Sequence, residues 1–76
     1  MDIESFIGNF AAQFDNTDNS VFAADTRFKD LDEWSSLLAL SIIAMVDDEY
    51  QVIIKGEDIR NAETIEDLFI KVKSIQ

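Results

Sequence analysis

The sequence predicts an all-α fold, a small bundle of three main helices and one short helix. Apolar residues recur at steps of three and four near both ends of the chain, a nearly unbroken apolar run follows two adjacent serines in the middle, and no segment gives a convincing strand. The 76 residues suffice for one small domain, so we take residues 1–76 as a single domain.

The first helix is predicted from one apolar stripe on an amphipathic segment. The members of the stripe are Ile3, Phe6, Ile7, Phe10, Ala11 and Phe14. The turn-forming residues 15–20, DNTDNS, should end this helix, and a loop should then run to about Trp34. The loop contains Val21, Phe22 and Phe28 and is therefore expected to pack over the core.

The second helix is predicted to begin at the serine pair and to run to about Tyr50. Ser35 has a residue type that accepts hydrogen bonds from the N–H groups of a first helical turn. Gly56 follows as a break, and residues 57–62 can form one or two helical turns around Ile59. The short helix of the bundle is therefore expected there.

The last helix is predicted to open with a capping box. Thr64 supplies the capping hydroxyl, and Asp67 stands where the motif usually has Glu or Gln. The apolar stripe that follows consists of Ile65, Leu68, Phe69, Val72 and Ile75. Lys71 and Lys73 lie near its end, where positive charge suits the helix dipole.

The charge balance excludes several classes of partner. Sixteen Asp and Glu against six Lys and Arg give a net charge of -10. No basic stripe is present to neutralise phosphates, so nucleic acid is not an expected partner, and an anionic membrane would repel the chain. Self-repulsion favours a monomer, and the expected partners are proteins with basic patches.

The absence of Cys and His limits the catalytic and metal-binding roles that the chain could have. The chain has no Cys and no His, and therefore lacks thiolate ligands, the commonest general base and the commonest metal ligand. We expect no enzymatic activity from the chain alone. The start MDIES is acidic where a signal peptide is basic, and no apolar stretch reaches the length of a membrane span, which predicts a cytoplasmic protein without membrane insertion.

The middle helix carries a second apolar face. Ala39, Ile42, Ile43, Val46 and Tyr50 form the stripe that can face the core. Leu37, Leu40 and Ala44 lie on a different side, and residues 37–46 are polar only at Ser41. Part of this face should reach the surface as a contact patch. The alternative is a central helix that residues 21–28 cover completely.

The order of these features resembles an acyl carrier protein over the whole chain. The resemblance is carried by WSSL at residues 34–37, DDEY at 47–50, IKGEDI at 54–59 and TIEDL at 64–68. Members of that family have Asp-Ser-Leu at the head of the second helix, and one branch has Trp before it. The resemblance implies an acyl-carrier-like bundle and makes Ser36 the match for the family's modified serine.

The resemblance implies that Ser36 receives a 4′-phosphopantetheine group from coenzyme A, attached covalently by a phosphopantetheinyl transferase. It also implies a carrier that shuttles thioester-linked acyl intermediates between enzymes of fatty acid, polyketide or related biosynthesis. The absent Cys fits this function, since the thiol would arrive on the added group. Ser35 stands where the family has Asp, and we hypothesise that Asp32 and Glu33 partly supply the missing charge.

The resemblance further implies that the second helix is the recognition surface for acyl-processing enzymes with basic patches. Asp47 and Asp48 match acidic positions of the family, whereas Leu38 and Ser41 lie where typical fatty acid carriers tend to be acidic. The recognition face is therefore expected to be more apolar than in typical fatty acid carriers, which predicts a dedicated partner enzyme. The expected partner-binding residues are Asp32, Glu33, Leu37, Leu40, Ser41, Ala44, Asp47 and Asp48.

Cargo shielding is expected from the core stripe. The residues expected to shield an acyl chain are Ile42, Val46, Tyr50, Ile54, Ile59, Leu68 and Phe69. Two alternatives stay open: a carrier-like interaction module with no prosthetic group, and a metal-binding module. The second is disfavoured because no segment has the alternating oxygen ligands and central Gly of a calcium-binding loop.

Overall fold

Four helices build the molecule, which a computed structural model describes over residues 1–76. They are α1 (Ile3–Ala11), α2 (Ser36–Tyr50), α3 (Gly56–Asn61) and α4 (Ile65–Ile75). No strand is present, so the predicted all-α bundle of three main helices and one short helix is confirmed. The radius of gyration, 11.0 Å, is close to the value of about 11.4 Å expected for a compact chain of this length.

α1 ends earlier than predicted. The Asp2 carboxylate caps its start by accepting the N–H of Ser5 at 2.8 Å, and the regular helix stops at Ala11. The N–H of Gln13 then donates to Phe10 at 3.1 Å and that of Phe14 to Ala11 at 3.0 Å, so the last turn is tightened to i→i+3 bonds. Phe14 is buried although it lies outside the helix.

The connection between α1 and α2 is packed against the core, as expected. It contains two short 3₁₀ turns, at Asn19–Val21 and Phe28–Asp30. Phe22 and Phe28 are buried, but Val21 is 42% exposed, so its predicted packing was wrong. The buried rings join an aromatic cluster in which centroid distances are 4.9–6.4 Å; its members are Phe10, Phe14, Phe22, Phe28 and Trp34.

The predicted capping box at the start of α4 is present. The Thr64 hydroxyl accepts the N–H of Asp67 at 3.1 Å, and the Asp67 carboxylate accepts the N–H of Thr64 at 3.1 Å. The carboxylate also accepts the N–H of Glu63 at 3.0 Å, and these bonds lower the pKa of Asp67. α3 begins at Gly56, one residue before the predicted start, so this glycine opens a helix and does not precede it.

The core lies where the four helices meet. α1 packs on α2 and α4, and α3 packs on the same two helices. All 17 buried residues are hydrophobic, and no buried polar side chain needs a partner inside. The largest fully buried side chains are Phe6, Phe10, Phe28, Ile42, Ile54, Ile65, Leu68, Val46 and Val72. None of the helices has the length and apolar character needed to cross a membrane.

Candidate functional site

The two adjacent serines at the start of α2 have different environments. Ser35 is the N-cap, with extended backbone, and its hydroxyl accepts the N–H of Leu38 at 3.3 Å. Ser36 is the first helical residue; it is exposed, and its side chain makes no hydrogen bond within the chain. The predicted cap at Ser35 is therefore confirmed, and the Ser36 hydroxyl is free to react.

Two backbone N–H groups at the start of α2 are unpaired. The first N–H groups of a helix have no acceptor inside it, and at this end only those of Leu38 and Ala39 are used, by the Ser35 side chain and carbonyl. The N–H groups of Ser36 and Leu37 are left over. Together with the helix dipole they favour negative charge at this position.

The second apolar face of α2 reaches the surface, as predicted. Leu37 is 73% exposed and Leu40 is 63% exposed, and Ala44 is exposed beside them. The alternative of a fully covered α2 is therefore wrong. Ser41 is half-buried. We call Leu37, Leu40 and Ala44 the apolar patch.

Leu38 does not contribute to the apolar patch. The sequence comparison with typical carriers put Leu38 among the residues that make the recognition face greasy, but its side chain is only 9% exposed and belongs to the core. The reason is helical geometry. Leu38 shares a face with Ile42 and Met45, which are buried, whereas Leu37 and Leu40 point away from them.

Carboxylates lie at both ends of α2. Asp47 and Asp48 are exposed in its last turns. Gln51 ends the helix in the left-handed conformation, with φ 55°. Asp32 is exposed before the helix. An enzyme with a basic patch could therefore meet acidic side chains on either side of the apolar patch.

Glu33 is half-buried and its carboxylate faces the loop after α1. Its carboxylate accepts the Thr17 hydroxyl at 2.7 Å and the backbone N–H groups of Asp15 and Asn16 at 2.8 and 3.0 Å. These bonds, led by that of Thr17, lower the pKa of Glu33. Glu33 thus connects the loop to the start of α2, and its carboxylate accepts three hydrogen bonds from the chain itself.

A groove of about 600 Å³ opens beside Ser36, between α2 and α3. Its size falls in the range of about 300–1,000 Å³ typical of small-molecule sites. The lining residues are Lys29, Trp34, Ser35, Ser36, Ala39, Leu40, Gly56, Ile59 and Arg60. We call this the serine groove. Lys29 and Arg60 were missed from the sequence, because isolated cations in an acidic chain form no motif.

The residues expected to shield cargo fill the core. Ile42, Val46, Ile54, Ile59 and Leu68 are buried, and Tyr50 and Phe69 are half-buried. The Phe6 ring lies between the last two, 5.8 Å from Tyr50 and 5.6 Å from Phe69. An acyl chain could enter only where these side chains move apart.

No family model, no curated protein and no solved structure matches the chain. The local chemistry around Ser36 is therefore the main indication of function.

The other side chains add no second centre of chemistry. No group of three or more Asp and Glu converges to hold a metal ion. The hydroxyls of Ser5 and Ser74 donate to Asp2 and to the Lys71 carbonyl, so both are engaged. The arrangement around Ser36 presents one hydroxyl for modification at a helix start, where a phosphate is favoured. The serine groove lies next to it and could hold a group attached to that hydroxyl.

Proposed function

We propose that the chain is an acyl carrier that bears a 4′-phosphopantetheine group on Ser36. The observation that carries this proposal is the exposed, unbonded Ser36 hydroxyl at the first position of α2, beside a serine already used as the cap. A transferase needs a hydroxyl that it can reach while the chain stays folded. Ser36 meets that need, and its surroundings fit a phosphate.

The attachment step balances with coenzyme A as the donor. The Ser36 oxygen forms a bond to the phosphorus that bears pantetheine, and the pyrophosphate P–O bond of coenzyme A breaks. Adenosine 3′,5′-bisphosphate leaves, and the hydroxyl proton passes to a base on the transferase. The chain contributes the fixed position of the hydroxyl and the N–H groups of Ser36 and Leu37, which favour the new negative charge.

The attached group would supply a thiol at the end of a flexible arm, which this chain, without cysteine, does not otherwise have. The helices would keep the attachment point at one rigid position. Acyl groups would thereby be handed between the enzymes of fatty acid, polyketide or related biosynthesis without dissociating from the carrier. The chain itself performs no catalysis in this proposal.

The partner enzymes would dock on α2. The apolar patch is continuous with Ser36 along the helix, and Asp47 and Asp48 follow it. Apolar contact supplies affinity, while the charges orient an enzyme whose basic patch lies near its active-site entrance. We further propose that the carrier works as a monomer in the cytoplasm, since its net charge of -10 opposes self-association.

The intact mass of the chain tests this function. The wild type, Ser35→Ala and Ser36→Ala are incubated with coenzyme A and a broad-specificity phosphopantetheinyl transferase. We expect the wild type and Ser35→Ala to gain the mass of one phosphopantetheinyl group and Ser36→Ala to gain none. A wild type that gains no mass with several transferases would contradict the proposal.

A second candidate is an interaction module without a prosthetic group. The apolar patch supports it, because Leu37 and Leu40, 73% and 63% exposed, lie one turn apart on α2 and form a contiguous apolar surface that a partner could cover. In that case a basic protein would bind the unmodified chain, and Leu37→Asp would weaken binding while Ser36→Ala would not.

A further inference from the structure

The serine groove differs in charge from the other two grooves of the molecule. The other grooves have a net negative lining: one has Asp58 and Asp67 with Lys71, which pairs with Asp58, and the other has Asp18, Asp32 and Glu33. The serine groove has no carboxylate in its lining and two cations, Lys29 and Arg60. In a chain of sixteen acidic and six basic residues, this is a local reversal of charge.

Neither cation is neutralised by a carboxylate. The ion pairs of the molecule are those of Arg27 with Asp30 and Glu63, and of Lys71 with Asp58. Lys29 donates to the carbonyl of Arg60 at 2.7 Å, which fixes the ammonium against α3 but leaves its charge unpaired. Two unpaired cations in one groove of an acidic protein suit an anionic ligand.

The Arg60 guanidinium lies beside Gly56 on the α3 side of the groove. A Cβ on Gly56 would lie 3.4 Å from Nη1 of Arg60, so the guanidinium extends back over the first residue of the helix. The rest of the lining is largely apolar, with Trp34, Ala39, Leu40 and Ile59. The groove thus combines a greasy wall with cations, next to the Ser36 hydroxyl.

We propose that the serine groove holds the arm attached to Ser36, with Lys29 and Arg60 pairing with its phosphodiester and the apolar wall covering its pantetheine carbons. This inference rests on the proposed function and adds a resting position for the arm. A phosphodiester keeps one negative charge at all physiological pH values. Because Leu40 belongs to both the groove wall and the apolar patch, an enzyme that docks on the patch would compete with the resting arm.

Trp34 reports on this position, because it is the only tryptophan and lines the groove. Acrylamide is uncharged, so its quenching of Trp34 fluorescence measures access and not charge. The experiment compares the loaded and unloaded forms of wild type, Arg60→Gln and Lys73→Gln. Lys73 lies outside the groove and forms no ion pair, which makes it a matched control.

Loading is first verified by intact mass. We expect loading to lower the quenching constant of the wild type and of Lys73→Gln, and Arg60→Gln to lose at least half of that decrease. The decrease should also shrink in about 1 M sodium chloride, where the screening length is about 3 Å. Folding is not at issue, since the Arg60 side chain is exposed and makes no hydrogen bond within the chain.

The outcomes separate the two proposals. A chain that gains no mass overturns the carrier function and the resting position together. A loaded wild type with unchanged quenching, a decrease that salt does not reduce, or a decrease that Arg60→Gln fully retains overturns the resting position alone. Free coenzyme A added to Ser36→Ala in equal amount should leave quenching unchanged; an equal decrease there would mean a free-ligand site and overturn the inference.

Discussion

Ser35 and Ser36 have the same side chain, but only the Ser35 hydroxyl is hydrogen-bonded within the chain. The Ser35 hydroxyl is used by the N–H of Leu38, whereas the Ser36 hydroxyl is left free on the first turn. The pair can be told apart because an N-cap residue has extended backbone and the next residue does not. The two positions should therefore respond differently to substitution.

Substitution of Ser35 tests the capping task. Ser35→Ala should lower the free energy of unfolding by about 1 kcal/mol, because the cap bond to Leu38 is lost. Ser35→Asp keeps the cap and should leave stability nearly unchanged. Chemical denaturation measures both, and equal stabilities of Ser35→Ala and the wild type would contradict the assigned cap.

The same Ser35→Asp variant restores the carboxylate that acyl carrier proteins have at this position, and so tests whether its absence slows attachment of the arm. We expect it to speed attachment of the arm only modestly, because Asp32 already provides a carboxylate close by in the sequence. The initial rate of mass gain with one transferase is the measurement. A many-fold acceleration would refute the idea that neighbouring carboxylates replace the missing Asp.

Glu33 makes stability depend on acidic pH. Its pKa is lowered in the folded chain by bonds from Thr17, Asp15 and Asn16, so the unfolded chain binds the proton more readily. Its contribution is therefore present above the pKa of the unfolded state and is lost as the pH falls through the lower, folded pKa. Asp67 acts in the same direction, for the same reason.

Glu33→Gln should melt at a lower temperature than the wild type at pH 7, and the difference should shrink as the pH falls below about 4. Asp47→Asn is the control, because its exposed side chain makes no hydrogen bond within the chain. Thermal unfolding followed by circular dichroism between pH 7 and pH 3 measures the effect. A constant difference across that range would contradict the assigned role of Glu33.

At the scale of elements, two adjacent leucines of α2 have opposite environments, one in the core and one at the surface. Leu38 is 9% exposed and Leu37 is 73% exposed. Leu38→Ala should cost about 2–4 kcal/mol of unfolding free energy, and Leu37→Ala no more than about 0.5 kcal/mol. Leu37→Ala should instead weaken binding to a partner enzyme. Equal losses of stability would mean that the assigned faces are wrong.

The end of α2 stores a small backbone strain at Gln51. Its φ of 55° is in the left-handed region that glycine adopts without penalty. Gln51→Gly should therefore raise the free energy of unfolding by up to about 1 kcal/mol, in part offset by the lost side-chain bond to Asp48. Glu49→Gly, inside the helix, should lower it by about 1 kcal/mol. Chemical denaturation of both variants should show these opposite signs.

The starts of α2 and α4 could be predicted from the sequence, because each is set by a side chain that bonds to backbone groups a few residues away. The Ser35 cap and the Thr64–Asp67 box depend on contacts within three residues, so residue type alone indicates them. The end of α1 could not be predicted in the same way. Phe14 continues the apolar stripe, but its burial is achieved by a tightened turn that long-range packing of the aromatic cluster allows.

At the scale of the whole molecule, the site was only partly predictable. Ser36 and the apolar patch lie on one helix, and their arrangement follows from a period of 3.6 residues. Lys29 and Arg60 are 31 positions apart and meet through the path of the loop, which no local pattern encodes. The serine groove, and with it the charge reversal beside Ser36, appears only when the whole chain is folded.

The apolar patch bears on which enzymes the proposed carrier would serve. A carrier of general fatty acid synthesis would be expected to present more carboxylates early in α2, whereas this chain presents Leu37 and Leu40. We therefore expect slow exchange with the enzymes of a general fatty acid synthase and faster exchange with a dedicated partner. Transfer kinetics measure this, and normal rates with the general enzymes would contradict it.

The central claim is that Ser36, and no other serine, carries the arm. Trypsin should release residues 30–55 as one peptide, because Lys29 and Lys55 flank a stretch without other Lys or Arg. Fragmentation of this peptide from the transferase-treated wild type should place the phosphopantetheinyl group on Ser36. A group on Ser35 or Ser41, or a peptide that remains unmodified, would contradict the account.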